Sequence, residues 1–377
     1  MKRSLTRSIM VCLAMCMFLG STAFAADTIK IGLMCPLTGS WASEGQDMKQ
    51  IVELLADEVN AAGGVLGRNV EIVVGDDSGD PRSAALAAQR LVTQDIVAVI
   101  GTYGSSITEA SQNIYDEYEL IQVATGSTAI RLTEKGLKYF FRTSPRDDEQ
   151  GKVAARVLSE KGFKKIAVLH DNTSYAKGLA DETQKLLKAQ GTEIVFFEAL
   201  TPGERDYTAI LTKLKGADPD VIFFTGYYPE AGMLLRQKIE MKLDVPMIGG
   251  DATNNQDLVK IAGMEAAEGF YFLSPPVPQD LDAPAAKDFM AAYRKKYETV
   301  PGSVWSVLAG DAFRVLIAAI ENTGSTRSED MAGYMHNTLK DYPGLTGEIS
   351  FNAKGDRIGD LYRLYRIDAQ GQFVLQP

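Results

Sequence analysis

Short β-branched apolar runs alternate with longer amphipathic stretches along this chain. Residues 29–34, 70–74, 96–100 and 120–123 are apolar runs of strand length, separated by 46–62, 81–93 and 107–118. In the first separator Met48, Ile51, Leu55, Val59 and Ala62 recur at three and four residues, the spacing of one helix face. Asp80-Pro81 reads as an N-cap followed by proline in the first turn. Ser106-Ile107-Thr108-Glu109 fits a capping box. The rhythm restarts after Arg142-Thr143-Ser144-Pro145, with strands expected at 166–169, 193–197, 221–224, 247–248 and 269–273. Helices are expected at 176–189, 207–214, 229–241 and 256–262. A second break at Ser274-Pro275-Pro276-Val277-Pro278 leads into helices over 284–339, then closing strands near 349–351 and 361–367. Such alternation predicts an α/β chain whose parallel sheets carry helices on both faces.

About 350 residues exceed what one hydrophobic core usually supports, so two doubly wound lobes are expected. The late helices need a sheet to cover, and the first block is the economical host. The expected division is 26–145 with 274–360 as a discontinuous first lobe, and 146–273 with 361–377 as the second. Crossover strands would join them. Sites in such sheets form beyond the carboxyl ends of the strands, so facing lobes make a cleft.

The first residues stand apart. Lys2, Arg3 and Arg7 precede an apolar run over 9–20, and Ala23-Phe24-Ala25 offers the small residues a signal peptidase reads. That run is short for a bilayer span, which takes about 20 residues. Met15 before Cys16 does not fit a lipoprotein signal. Cleavage is expected after Ala25, giving an exported, periplasmic product with no further stretch of spanning length. Removing those residues takes away three basic groups and no acidic one, so the net charge moves from −10 to −13. That balance argues against nucleic acid or anionic membrane as a partner. Cys12 and Cys16 leave with the signal and Cys35 remains alone, which rules out an internal disulfide and suggests a buried, inert thiol.

Four polar stations each follow an apolar strand: Gly104-Ser105-Ser106, Gly126-Ser127-Thr128, Tyr175 and Gly249-Gly250-Asp251. Together they offer hydroxyl donors for a carboxylate and one carboxylate for an ammonium, the charge pair of a free α-amino acid. Ser105 and Ser106 precede a helix, whose free N–H groups and dipole attract an anion. If Ser106 caps that helix, Ser105 is spare for a ligand. Thr128 either approaches a ligand or merely forms a turn, and Asp251 either pairs with an ammonium or caps the next helix. Trp41, Tyr103, Tyr175, Tyr227 and Tyr228 follow strands and would complete a pocket. Trp41, in a polar turn, is the least core-like of them, whereas Trp305 reads as packing. Enzymatic readings find little support. His170 and His336 have no metal-ligand spacing, His170 reading as cleft rim and His336 as helix surface. No G-x-S-x-G elbow, lysine-bearing phosphate loop or G-x-G-x-x-G after the first strand is present. No catalytic residue, metal or organic cofactor is implied.

The chain also resembles a known family, the leucine/isoleucine/valine-type solute-binding proteins of ABC transporters with a type I periplasmic-binding fold. The resemblance is carried by Ile31-Gly32, Pro36-Leu37-Thr38-Gly39, Asn60-Ala61-Ala62-Gly63-Gly64, Asp76-Asp77, Tyr175-Ala176-Lys177-Gly178 and Gly226-Tyr227-Tyr228-Pro229-Glu230. It implies that Ser105 holds a ligand carboxylate, and that the Gly126 carbonyl, the Thr128 hydroxyl and Asp251 hold the ammonium. Tyr175 and Tyr227 would close over the ligand. It further implies delivery to a membrane permease by a protein expected to be monomeric. Gly79 and Gly104 stand where close branched-chain binders often have a disulfide, and the family acid at Asp251 is often glutamate. Tyr103 and Trp41 stand where smaller side chains can occur, so pocket volume is a point of departure. Leucine, isoleucine or valine is the first choice of ligand. The alternatives are another neutral or aromatic amino acid, an amide, urea or an aromatic acid, a sensor on the same fold, or an α/β hydrolase or dehydrogenase.

Overall fold

A computed structural model describes residues 28–377, so the expected export signal lies outside the described residues. The first sheet has the order β2-β1-β3-β4-β5, all parallel, from β1 (Ile29–Cys35), β2 (Val70–Asp76), β3 (Ile96–Ile100), β4 (Ile121–Ala124) and β5 (Phe140–Arg142). Its crossovers are the helices α1 (Ala42–Ala61), α2 (Pro81–Leu91), α3 (Ser105–Glu117) and α4 (Arg131–Glu134). Asp80 caps α2 as expected, its side chain accepting from the Ser83 N–H at 2.8 Å. The capping box is corrected. α3 begins at Ser105 with Gly104 as N-cap and no side-chain cap, so Ser106 lies inside the helix, and Glu109 bonds elsewhere.

The chain leaves β5 into a helix that the sequence pattern had not marked, α5 (Asp147–Glu160). A second set of parallel strands follows: β6 (Lys165–His170), β7 (Glu193–Ala199), β8 (Val221–Thr225), β9 (Met247–Gly249) and β10 (Tyr271–Ser274). The connecting helices are α6 (Ser174–Ala189), α7 (Thr208–Gly216), α8 (Tyr228–Glu240), α9 (Asp257–Ala262) and α10 (Met264–Ala267). The parallel order β10-β9-β8-β6-β7 repeats the winding of the first sheet. It is not purely parallel, because β13 (Arg363–Ile367) and β14 (Phe373–Leu375) extend its β10 edge antiparallel.

Between β10 and β13 come α11 (Pro284–Tyr297), α12 (Val304–Thr323), α13 (Ser328–Asn337) and a small hairpin of β11 (Tyr342–Gly344) and β12 (Gly347–Ile349). Sixteen of the twenty residues of α12 are buried, and it packs on α1 and under β3 and β4. A helix apolar all round belongs in an interior, which is where it lies. The chain therefore passes between the sheets three times: after β5, after β10, and in the segment before β13. His336, expected on a helix surface, instead stacks on Phe141 with centroids 4.5 Å apart. Cys35 is buried and unbridged, and burial, then Asp77, raises its thiol well above the usual range.

Both sheets change winding direction between their first and third strands, β1/β3 and β6/β8. Ligand crevices open at such switch points, beyond the strand ends. Each station sits on a loop after a strand end: residues 36–41 after β1, 101–105 after β3, 125–129 after β4, 171–175 after β6, 226–227 after β8 and 250–251 after β9.

Candidate functional site

Four aromatic rings meet where the two sheets face each other. Trp41 and Tyr227 lie with centroids 4.1 Å apart and planes 32° apart, and Tyr103 meets them edge-on at 5.5 and 5.6 Å. Tyr175 reaches Tyr227 at 5.5 Å. Trp41, at 9% exposed, is the least buried of the five aromatics, in line with its expected rank, yet it still packs into the interior. Its burial comes from residues distant in sequence. A Cβ at Gly79 would lie 2.8 Å from the indole and one at Gly104 2.9 Å, so the indole fills the space between these two glycines. Gly126 packs on Tyr103 in the same way, with a Cβ predicted 2.6 Å from its ring. Outside the rings a cavity of about 520 Å³ opens toward solvent, lined by Trp41, Gly79, Ser106, Asp171, Tyr227 and Glu230 among others. Neither Thr128, Asp147 nor Asp251 lines it, so the polar part of the site is the inner one.

Ser105 opens α3, fully buried, and its hydroxyl accepts from the Ala129 N–H at 3.1 Å. Its proton is thereby left to donate. The Tyr227 hydroxyl lies beside the α3 N-terminus, where a Cβ on Gly104 would come within 3.2 Å of it. Free N–H groups at a helix start favour an anionic or oxygen acceptor there.

Opposite lies a carboxylate pair. Asp251 is buried, its Oδ2 accepting from Tyr362 Oη at 2.7 Å. Its own N–H donates to Gln150 Oε1 at 2.9 Å, and the Ala252 N–H donates to Tyr175 Oη at 3.3 Å. Asp251 is not a helix cap, since Gly250 holds that position before a short 3-10 turn. Burial pushes its carboxyl up to about 7, against the lowering effect of Tyr362, then Tyr175. Asp147, the first residue of α5, is fully buried, and burial, followed by the charge of Asp251, raises it well above the carboxylate range. Thr128 faces Asp147 but stops short of hydrogen-bond geometry. Thr128 Oγ1, both Asp147 oxygens and Tyr103 Oη have no hydrogen-bond partner among the described residues.

Among the described residues no cation forms an ion pair with either carboxyl. Arg142, which acts on Asp147 through space, spends its guanidinium elsewhere: on Asp356 Oδ1 at 2.7 Å, the carbonyls of Ser127 and Ala129 at 3.1 and 2.9 Å, and Thr133 Oγ1 at 2.9 Å. That network fixes the 127–129 loop that carries Thr128. Buried carboxylates without a counter-charge are costly unless something pairs with them. What fits is a small cation with several N–H donors, beside an anion acceptor at the α3 terminus.

All eight sequence-chosen residues, Trp41, Tyr103, Ser105, Gly126, Thr128, Tyr175, Tyr227 and Asp251, fall in this one region. Asp147, Gln150 and Tyr362 were missed. The signal for the first two was present: Asp147-Asp148-Glu149 is an acidic first turn, followed by apolar residues at helical spacing. Tyr362 lay in an expected strand and gave no sign of chemistry. Trp305, read as packing, is buried but also donates from Nε1 to the Asp251 carbonyl at 3.3 Å. Around the cleft the two sides touch through further pairs. Tyr228 Oη lies 3.0 Å from Ser43 Oγ and donates to the Ser40 carbonyl at 3.1 Å. Asn255 donates to Glu44 at 3.0 Å and Ser174 to Glu109 at 2.7 Å.

Comparison with known proteins identifies the family. The profile of a family described as periplasmic binding protein matches residues 28–372. A Leu/Ile/Val-binding protein of Rhizobium johnstonii is 34% identical over 93% of this chain and 95% of its own. A leucine-, isoleucine-, valine-, threonine- and alanine-binding protein of Pseudomonas aeruginosa is 35% identical over 89% of each. Among solved structures, the branched-chain amino acid transporter substrate-binding protein LivJ of Streptococcus pneumoniae, in complex with isoleucine, superposes with a TM-score of 0.85. It is 33% identical and matches over 93% of this chain and 99% of that one.

Proposed function

We propose, for a chain that belongs to the periplasmic binding protein family, that it captures a free amino acid in the cleft and delivers it to the permease of an ABC transporter. Membership makes it a solute-binding protein of the periplasm rather than an enzyme. Leucine, isoleucine or valine is the ligand class the named relatives favour.

The observation that carries the reading is the unpartnered set of Thr128 Oγ1 and both Asp147 oxygens beside Asp251, facing Ser105 at a helix start. In this reading the α-ammonium sits among Asp251, Asp147, Thr128 and the Gly126 carbonyl. The α-carboxylate takes the Ser105 hydroxyl and nearby N–H groups, and Trp41, Tyr103, Tyr175 and Tyr227 enclose the side chain. Charge-assisted hydrogen bonds contribute about 1.5–3 kcal/mol each, so three or four support micromolar binding or tighter. The division into lobes 26–145 with 274–360 and 146–273 with 361–377, cleavage after Ala25 and a monomeric state belong to the same proposal. Four converging rings favour a second ligand, an aromatic amino acid such as phenylalanine, over small polar ones.

Calorimetric titration of the ligand-stripped protein tests it. One-to-one binding of leucine, isoleucine or valine is the expected result. No heat with any amino acid would overturn the ammonium roles of Asp147 and Asp251.

A further inference from the structure

Tyr362 belongs to the segment that carries the chain from β12 past β5 to β13. On one side of it Asp356 bridges to Arg142 of β5, and on the other Arg363 begins β13. From this crossing its hydroxyl reaches the carboxylate of Asp251 at 2.7 Å while accepting from Gln150 Nε2 at 3.1 Å. Gln150 closes the loop by taking the Asp251 N–H at 2.9 Å. Room for this arrangement is made at Gly250, where a Cβ would lie 2.4 Å from Tyr175 Oη and 3.0 Å from Gln150 Oε1. Tyr362 is 2% exposed, so its hydroxyl has been withdrawn from water for this one bond.

We infer that Tyr362 is a positioning residue for ammonium recognition. Supported by Gln150, it holds Asp251 as the ionised, aimed member of the carboxylate pair and leaves the shared proton to Asp147. This rests on the amino-acid reading above. A phenol that donates to a carboxylate favours its charged form. Asp147 receives no such donor, and two neighbouring carboxylates resist ionising together. Among the other groups facing Asp251, Tyr175 on α6, which takes up the Ala252 N–H, acts in the same direction but less than Tyr362, and Tyr103 and Tyr227 on the loops after β3 and β8 are neutral phenols. Trp305 of α12 addresses only the main-chain carbonyl of Asp251. On the Asp147 side stand Arg142 of β5, committed to Asp356, with Asp148 and Arg131 farther out. Burial already brings Asp251 up to about 7, so its charge at neutral pH depends on the donors that remain. Asp251 must be ionised to pair with an ammonium, and losing a donor moves that requirement to higher pH.

The test is leucine affinity against pH, from 5.5 to 9, for wild type, Tyr362→Phe and Gln150→Leu. Tyr362→Phe is expected to lose about tenfold or more at pH 6 yet lie within about threefold of wild type at pH 9, its midpoint shifted upward. Gln150→Leu should shift in the same direction, and carries the test should Tyr362→Phe not fold. A merely structural role would lower affinity equally at every pH. That result, or an unshifted profile, overturns the inference while leaving the amino-acid reading intact. Wild type that binds no amino acid at any pH overturns both.

Discussion

The ring of Trp41, which follows a strand of the first sheet, lies 4.1 Å from the ring of Tyr227, which follows a strand of the second. The contact thus spans the cleft and exists only while the two sides are together. Truncating a buried Trp costs about 3–5 kcal/mol in a folded core. Here the loss falls on closure rather than on either side's own fold. Trp41→Ala should therefore lower leucine affinity by about a hundredfold to a few thousandfold, with small-angle scattering showing a larger radius under ligand than in wild type. A fully compact, tightly binding variant would remove Trp41 from the closing contact.

Gly104 and Trp41 should be energetically coupled. A methyl at Gly104 meets the indole at 2.9 Å, so Gly104→Ala must displace it. In a Trp41→Ala background the tightest contact is gone, and the same methyl meets only Ile107 Cγ1 and Tyr227 Oη, each at 3.2 Å. Thermal unfolding of the two single variants and the double should give a coupling of about 0.5–3 kcal/mol, the range for residues in contact. Strict additivity would mean the indole does not fill the gap between Gly79 and Gly104.

Asp147→Asn should separate stability from binding. The carboxyl is buried with neither oxygen partnered, so at alkaline pH, where it ionises, removing its charge relieves the ligand-free fold. The same change takes away a partner for the ammonium, a loss of about tenfold to a hundredfold in affinity for one charged hydrogen bond. A melting temperature raised at alkaline pH together with weakened leucine binding is the expected pair of results. Unchanged affinity would exclude Asp147 from the ammonium site.

Stability without ligand should fall as pH rises from about 4 to about 8. Burial raises Glu44 to about 8 and Asp77, Asp171 and Asp251 to about 7, and lifts Asp147 well above the usual carboxylate range. Unfolded carboxylates titrate near pH 4, so across this window the folded state binds more protons than the unfolded. Each such group then contributes a downward slope of up to about 1.4 kcal/mol per pH unit. Melting temperatures of ligand-stripped protein at pH 5 and pH 8 check the sign. A melting temperature that climbs with pH would contradict it.

Asp356→Ala should damage the fold and the site together. It strands Arg142, whose guanidinium is fully buried and holds the carbonyls of Ser127 and Ala129. Breaking one partner of a buried ion pair costs about 3–5 kcal/mol. Denaturant midpoints should drop accordingly, and leucine binding should weaken because Thr128 sits on the loop that Arg142 holds.

What the sequence revealed follows from how local each signal is. The stations after β1, β3, β4, β6, β8 and β9 were legible because strand ends and polar turns adjoin in the chain. α5 was passed over although its acidic first turn was visible, and with it went Asp147 and Gln150. The burial of Trp41 depends on Gly79, Gly104 and Tyr227, none of them a neighbour in sequence. The capping box at Ser106 failed because the helix starts two residues sooner than its motif indicates. Tyr362 could not be assigned from any local pattern, since its partner Asp251 is 111 residues away.

The place of Tyr362 in the chain also sets an order of events during synthesis. Every other residue assigned to the well, through Asp251, emerges from the ribosome first. Until the segment before β13 has been made, that acid lacks its phenol and the second sheet lacks its antiparallel border. A chain crossing a membrane while still unfolded thus carries no finished receptor, and cannot seize an amino acid on the side where it was made.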